Sequence, residues 1–282
     1  MKKLILSSLA VAVLSSCVSN DNPADHRDNS NNSHNNNTGT SPLLKKATDV
    51  NPGGQPYVVE FKYNGDKLIE TYNASDDDRV IYTYSGDYIA KTEEFIGGSL
   101  VLMREFTYSN GRLSTEKITD KEQGTLIYTK IYQYLSDTHV QFDEYKSGTY
   151  NPSTGTYSNL VFAQVDVNLT NAGNVASAKY TYNGVTYNIT NTYDTFNNPM
   201  KNIKGFVKIN LFDVSDGQIG YNNLLNQTES YSGLSNGTNK ITAVYTLNGD
   251  NYPTKAVTTI SQAMEQVLIT GFTSTINNYF AF

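Results

Sequence analysis

Along this chain an aromatic pair spaced by one residue runs into a polar turn, and an apolar residue follows five places after the second aromatic. Tyr82-Thr83-Tyr84-Ser85-Gly86-Asp87-Tyr88-Ile89 is the clearest case. The same arrangement stands at Phe61/Tyr63 then Leu68, Phe106/Tyr108 then Leu113, and Tyr180/Tyr182 then Tyr187. It is looser at Tyr245/Leu247 then Tyr252, and has one extra loop residue at Tyr132/Tyr134 to Val140 and at Val167/Leu169 to Val175. Residues two apart in a strand share a face. Each unit therefore reads as a hairpin whose second aromatic and following apolar residue lie on one side. Asn64-Gly65, Ser85-Gly86, Asn110-Gly111, Asn183-Gly184 and Asn248-Gly249 supply residues that tolerate the positive φ of tight hairpin turns.

Repetition of this unit predicts an all-β fold, an antiparallel meander of hairpins curling into an open or partly closed barrel-like sheet. Hairpins are expected to begin near 57–63, 79–84, 100–108, 126–134 and 157–169. The stretch 146–155, with Gly148, Pro152 and Gly155, reads as an enlarged loop. Pro199 cannot donate to a ladder, so the meander is expected to pause at 195–206. Leu224 and Leu225 give 216–227, read as a short helix or irregular excursion, something to bury. Strands resume at 240–247 and 252–260, and 261–268 is compatible with either helix or strand.

The N-terminus has a different texture. Residues 1–16 combine Lys2 and Lys3 with an apolar run from Leu4 to Leu14 that is too short to span a bilayer, as in a secretion signal. Leu14-Ser15-Ser16-Cys17 resembles the lipobox of bacterial lipoproteins. That resemblance implies acylation of Cys17, cleavage before it, and a bilayer as partner. Cys17 is the sole cysteine, so it has no intramolecular disulfide partner. Residues 20–41 are rich in Asn, Ser, Asp and Thr and bury too little to order themselves. The expected division is a signal peptide over 1–16, a lipidated Cys and disordered tether over 17–55, and one all-β domain over 56–282.

The whole package resembles lipoproteins of Bacteroidota that join a lipobox and polar tether to a Tyr-rich β domain of porin-like fold type. The resemblance rests on the hairpin units at 63–113, on Asn197-Asn198-Pro199 with Ile203-Lys204-Gly205-Phe206, and on Asn251-Tyr252-Pro253-Thr254-Lys255. It implies an envelope location, at the outer membrane by lipid anchor, on either its periplasmic or its surface face. A weaker similarity is to the tyrosine-aspartate repeats of Rhs-type shell proteins. Here Asn64, Ser85, Ser109 and Asn183 replace the Asp that follows the second Tyr. Neither resemblance transfers catalytic residues.

Candidate chemistry is sparse. His139 is the only histidine after the tether, which holds His26 and His34 as spacers. No nucleophile elbow, HExxH pair or phosphate-binding glycine loop is present. Asp76-Asp77-Asp78 lacks the alternating ligands of an EF-hand and reads as a solvated connection. Glu93-Glu94 and Asp143-Glu144 place neighbouring carboxylates on opposite strand faces. No enzyme, cofactor or metal site is expected.

The charge of −6 becomes −8 once Lys2 and Lys3 leave with the signal, 19 basic against 27 acidic residues, with no basic cluster for nucleic acid. The 22 Tyr and absent Trp read as cover for a wide sheet, or as rings that grip a glycan, peptide or protein. Tyr63, Tyr84, Tyr108 and Tyr182 are the candidate ligand or core aromatic face. Outer positions such as Lys62, Lys67, Thr83, Lys91 and Thr107 disagree with a lipid-facing barrel wall. The expected role is a noncatalytic, lipid-anchored envelope binding or interaction module. The alternative is a carrier enclosing an apolar ligand, which requires a continuous apolar cavity lined by Tyr84, Ile89, Tyr108 and Leu113.

Overall fold

A computed structural model describes residues 42–50, 55–122, 126–151, 156–214, 219–233, 236–264 and 272–282. Among them, sixteen antiparallel strands form one closed barrel in which β1 (Lys46–Val50) lies between the last strand and β2 (Tyr57–Asn64). The meander continues through β3 (Lys67–Asn73), β4 (Asp78–Ser85), β5 (Tyr88–Ile96), β6 (Ser99–Ser109), β7 (Arg112–Asp120), β8 (Leu126–Tyr134) and β9 (His139–Asn151). It runs on through β10 (Thr156–Leu169), β11 (Val175–Tyr182), β12 (Val185–Tyr193), β13 (Leu224–Gly233), β14 (Gly237–Leu247), β15 (Pro253–Met264) and β16 (Phe272–Ala281). The sheet therefore has no free edge: Lys46 pairs with Ala281 on one side and Glu60 on the other.

The recurrent spacing has a defined geometry. Tyr63 pairs directly with Leu68, Tyr84 with Ile89, and Tyr108 with Leu113. In each hairpin the register slips by one residue immediately before the second aromatic. This bulge puts two residues of the returning strand against one, which is why an interval of five, rather than an odd-even alternation, brings ring and aliphatic chain together. Between Tyr108 and Leu113 the turn is closed by Asn110 (φ 51°) and Gly111 (φ 76°), two left-handed residues in succession.

Three expectations need correction, and one unit keeps its shared face by a different register: Tyr182 pairs with Val185 and Tyr180 with Tyr187, because Asn183-Gly184 makes a two-residue turn without a bulge. The expected loop at 146–155 is mostly ladder: Lys146 pairs with Leu160 and Tyr150 with Tyr157, so backbone pairing overrides Gly148. The tether expected to reach residue 55 ends earlier. Leu44 is fully buried and Ala47 and Asp49 alternate inward in β1, which supplies the strand that closes the ring. Finally, Leu224 opens β13 rather than lying in an excursion over 216–227. Of 261–268, open to either helix or strand, 261–264 continue β15 as strand and 265–268 lie outside the described residues.

The excursion between β12 and β13 starts at Asp194 and returns at Asn223. Its feet are clasped: Asn223 donates from its backbone N and from Nδ2 to the Asp194 carboxylate at 3.0 and 2.8 Å. Among its described residues it carries one short helix, α1 (Phe206–Asn210), entered through Gly205 at φ 75°. Met200, Ile203, Phe206, Val207, Ile209, Phe212 and Ile219 are all buried in one cluster with Leu68, Ile89, Leu113 and Val140 of the wall. The segment thus folds into the barrel and plugs the end at which the Tyr63, Tyr84 and Tyr108 hairpins turn.

Candidate ligand site in the barrel lumen

Contacts with the plug define the inner face. Phe206 lies 6.1 Å from the Tyr82 ring, and Phe212 lies 5.2 Å from Tyr132 and 6.2 Å from Phe142. The second tyrosines of the doublets fasten this end through their hydroxyls. Tyr63 donates to the carbonyl of Leu44 at 2.5 Å, Tyr84 to that of Lys204 at 3.0 Å, and Tyr108 to that of Ile89 at 2.7 Å. Three of the four candidate aromatic residues, Tyr63, Tyr84 and Tyr108, thus meet at the plugged end as structural latches. Tyr182 stands at the opposite end, beside the tight turn at Asn183-Gly184. Cys17, His26 and His34 lie outside the described residues.

Beneath the plug sits a charged layer that was not singled out from the sequence. Arg104 donates Nε to Glu116 Oε1 at 2.6 Å, Nη1 to Asn210 Oδ1 at 3.1 Å and Nη2 to the Ile209 carbonyl at 3.1 Å. Tyr132 donates its hydroxyl to Glu116 Oε2 at 3.0 Å, and Lys130 Nζ approaches the same oxygen at 3.6 Å. Burial disfavours the Glu116 charge, but the Arg104 guanidinium and the Lys130 ammonium outweigh it and hold the carboxyl below its ordinary range. A signal existed: Arg104, Glu116 and Lys130 fall where alternation demands an inward residue, between Leu102 and Phe106, before Ile118, and between Tyr128 and Tyr132.

On the other side of this layer the inward positions change from packed to half-exposed. Val80, Glu94, Leu102, Ile118, Tyr128, Glu144, Tyr187 and Ile241 are all partly accessible. This part of the lumen is acidic. Burial and the neighbouring Asp78 push the Glu94 carboxyl up to about 7. Burial pushes Asp49 up to about 6 and raises Asp78 and Glu144 as well. Rings line the opposite wall, where Tyr180 stacks on Tyr187 at 4.7 Å with 10° between planes and Tyr187 lies 5.9 Å from Tyr231.

The adjacent carboxylates divide between faces as alternation requires. Glu93 pairs outward with Lys91 at 2.8 Å while Glu94 turns in. His139 lies at the hairpin, its Nε2 3.0 Å from Asp166 Oδ2, away from the lumen carboxylates. The Asp76-Asp77-Asp78 connection is a turn with Asp77 at φ 49°, and Asp78 opens β4. Among the described residues no three His, Cys, Asp or Glu converge as metal ligands.

The outer wall is mainly polar, with Ile69, Ile131, Val244 and Tyr279 as exposed apolar or aromatic positions on it. Glu60, Lys62, Thr107, Lys117, Lys179, Asn188, Thr190, Ser230 and Lys240 are exposed on it, with Lys117 bound to Glu105 at 3.0 Å. No helix among the described residues is long and apolar enough to cross a membrane.

No family model matches the sequence, and no curated protein matches it. Among solved structures, a crystal structure of a porin-like protein from Bacteroides uniformis is similar over 86% of this chain and 100% of its own, with 13% identity and a TM-score of 0.48.

Proposed function

We propose that this protein is a noncatalytic binding module of the bacterial cell envelope, anchored to the outer membrane through acylated Cys17, with its ligand site in the half-exposed acidic part of the barrel lumen. The single observation that carries this reading is the division of the barrel interior. One end is filled by the chain's own excursion, and the remainder presents carboxylates and tyrosines to water.

The same observation weighs against an apolar carrier. That alternative needs Ile89 and Leu113 to face a cavity, yet they are 0% and 1% exposed and pack on the plug. The charged and hydroxyl-rich outer wall supports a barrel standing in water, since a lipid-facing wall would be an apolar band. The lipobox and polar leader support a tether that holds this barrel near the bilayer. Because residue 42 enters at the plugged end, where Asn202 Nδ2 donates to the Pro42 carbonyl at 2.6 Å, that end would face the lipid and the acidic part would point away from it.

Native mass spectrometry of protein taken from its own envelope, together with fractionation of a Cys17→Ser variant, tests the reading. A retained polar ligand and release of the variant from membranes are expected. Retained lipid in the barrel, or a variant that stays with the membrane as the parent does, would overturn it.

A further inference from the structure

The outer wall is not uniform around the ring. From β12 round through β16 to β1, the outward positions carry no carboxylate among the described residues. Buried Ala243, Ala256, Ile276, Asn278 and Asp49 fix the inward series, so Lys240, Lys255 and Lys46 point out among threonines, asparagines and serines. Glu229 of β13 is the cross-strand partner of buried Ile189 and turns in, where Asn239 donates to it at 2.7 Å. On other strands the outward lysines have carboxylate partners, as Lys91 has Glu93 at 2.8 Å and Lys117 has Glu105 at 3.0 Å. Lys46 stands opposite Glu60 of β2, which bounds the flank on that side.

The same flank holds the most exposed large apolar side chain of the described residues, Val244 at 71%, together with Tyr279 at 43%. Val244 pairs with Val257, and Tyr279 pairs with Lys255, whose Nζ lies 5.4 Å from the centre of the Tyr279 ring. Phe196, 41% exposed, stands where the excursion meets the β14–β15 turn, held there by Asn197, which donates its backbone N to the Asn251 carbonyl at 2.9 Å. Asp250 of that turn is the exposed acidic residue at this corner.

Building on the anchored reading above, we infer that this flank, centred on Val244, Lys255, Tyr279 and Lys46 with Phe196 at its rim, docks the barrel on the anionic phospholipid headgroups of the bilayer that holds Cys17. A tyrosine suits that boundary because its ring is apolar and its hydroxyl wet. A lysine lays its stem along apolar surface while the ammonium reaches phosphate. Each lysine near an anionic leaflet contributes about 1 kcal/mol, about fivefold in affinity. The chain as a whole is acidic, at −6, but charges beyond a Debye length of about 8 Å are largely screened at physiological salt. The charge of the flank itself therefore decides, and it is positive. Position agrees with this. Residue 42 leads directly to β1, and residues 18–41, read as polar coil, reach about 25–30 Å, so an acylated Cys17 keeps Lys46 close to the headgroups and a weak contact suffices. The barrel then leans on this side near its plugged end, and the acidic opening stays clear of the phosphates. A second copy is a poorer occupant, since the flank against its equal sets lysine against lysine.

The test is flotation of the full mature chain, carrying Cys17→Ser so that no acyl group contributes, with vesicles of equal parts phosphatidylglycerol and phosphatidylcholine at low salt. Co-flotation is expected, and none with pure phosphatidylcholine. Lys46→Gln, Lys240→Gln and Lys255→Gln together should weaken binding about a hundredfold. Lys91→Gln, Lys117→Gln and Lys179→Gln together make the same change of net charge on other strands and should leave it unchanged. The chain has no tryptophan, so Val244→Trp supplies a single reporter whose emission should shift to the blue on the anionic vesicles, while that of Thr107→Trp on β6 should not. Circular dichroism verifies that each variant keeps its strands.

No flotation with anionic vesicles, equal losses in the two lysine triples, or a Val244→Trp emission indifferent to the vesicles would each overturn the inference. Self-association without lipid that Val244→Ser abolishes, measured by sedimentation, would assign the flank to a second copy and overturn it too. A salt wash of cell membranes judges the anchor separately. Docking through the flank alone is released by high salt, whereas an acylated chain is not. A Cys17→Ser chain that resists the wash as the parent does would sink the acyl anchor, and the vesicle result would still decide the flank.

Discussion

The hydroxyl of Tyr84 donates to the backbone carbonyl of Lys204 at 3.0 Å, across 120 residues of sequence. The same oxygen accepts from the amide of Leu68 at 3.2 Å. One phenol thereby ties a wall hairpin, its neighbour and the plug together. Tyr84→Phe keeps the ring and deletes both bonds. Destabilisation of about 1–3 kcal/mol is expected, in line with leaving buried backbone groups unsatisfied. Denaturant unfolding measures it, and hydrogen exchange should show faster opening around α1 than around β14.

Glu116 holds two buried cations in place. Glu116→Leu strands Arg104 and Lys130 and is expected to cost about 3–5 kcal/mol. Replacing all three together, Arg104→Met, Glu116→Leu and Lys130→Met, should recover much of that loss, because the layer then has no charge to solvate. A triple variant no more stable than the single one would show that the layer works through the Arg104 bonds to Asn210 and Ile209 instead.

Glu94 and Asp49 set the response to pH. Their folded carboxyls stand at about 7 and about 6, raised by burial above 4.5 and 3.8. The folded state therefore holds more protons than the unfolded chain between those values, and stability falls as pH rises through the window. Chemical unfolding at pH 5 and pH 8 should place the midpoint lower at pH 8. Glu94→Gln should flatten the upper part of that dependence. Glu116, held low by Arg104 and Lys130, acts with the opposite sign and only at acid pH.

Gly237 is a packing site. A Cβ there would come within 2.3 Å of the Tyr231 hydroxyl and 2.4 Å of its ring, and 2.7 Å from the Ala263 carbonyl. Gly237→Ala should destabilise by about 1–3 kcal/mol as an overpacked position. Adding Tyr231→Ala should restore part of the loss, read as a coupling in a double-mutant cycle.

The hairpins were readable because their information is local. Phe61/Tyr63 with Leu68 carries both period and turn within a few residues, and the bulge merely shifts the partner. Closure was not readable, since it depends on Lys46 meeting Ala281 and on five residues, 46–50, that look like the end of a polar leader. At 146–155 the Gly and Pro signals suggested a loop, but the ladder between β9 and β10 extends across most of it. Pro199 and its Asn neighbours marked where the meander stops. That the following chain turns inward depends on the width of a sixteen-stranded ring, which no short window encodes. The lumen carboxylates were visible one by one; that Asp49 stands across from Tyr57, whose hydroxyl lies 3.3 Å from Asp78 Oδ2, appears only once β1 is paired with β2.

That seam between the first and last strands also orders events in time. A ribbon that locks only when Lys45 and Lys46 meet Ala281 stays unfastened until its sixteenth strand is in place. If the chain is exported as proposed, the channel meets a pliable ribbon, and the ring is sealed only on the far side. Trimming the last strand should leave an unsealed, aggregation-prone sheet rather than a slightly smaller version of the same vessel.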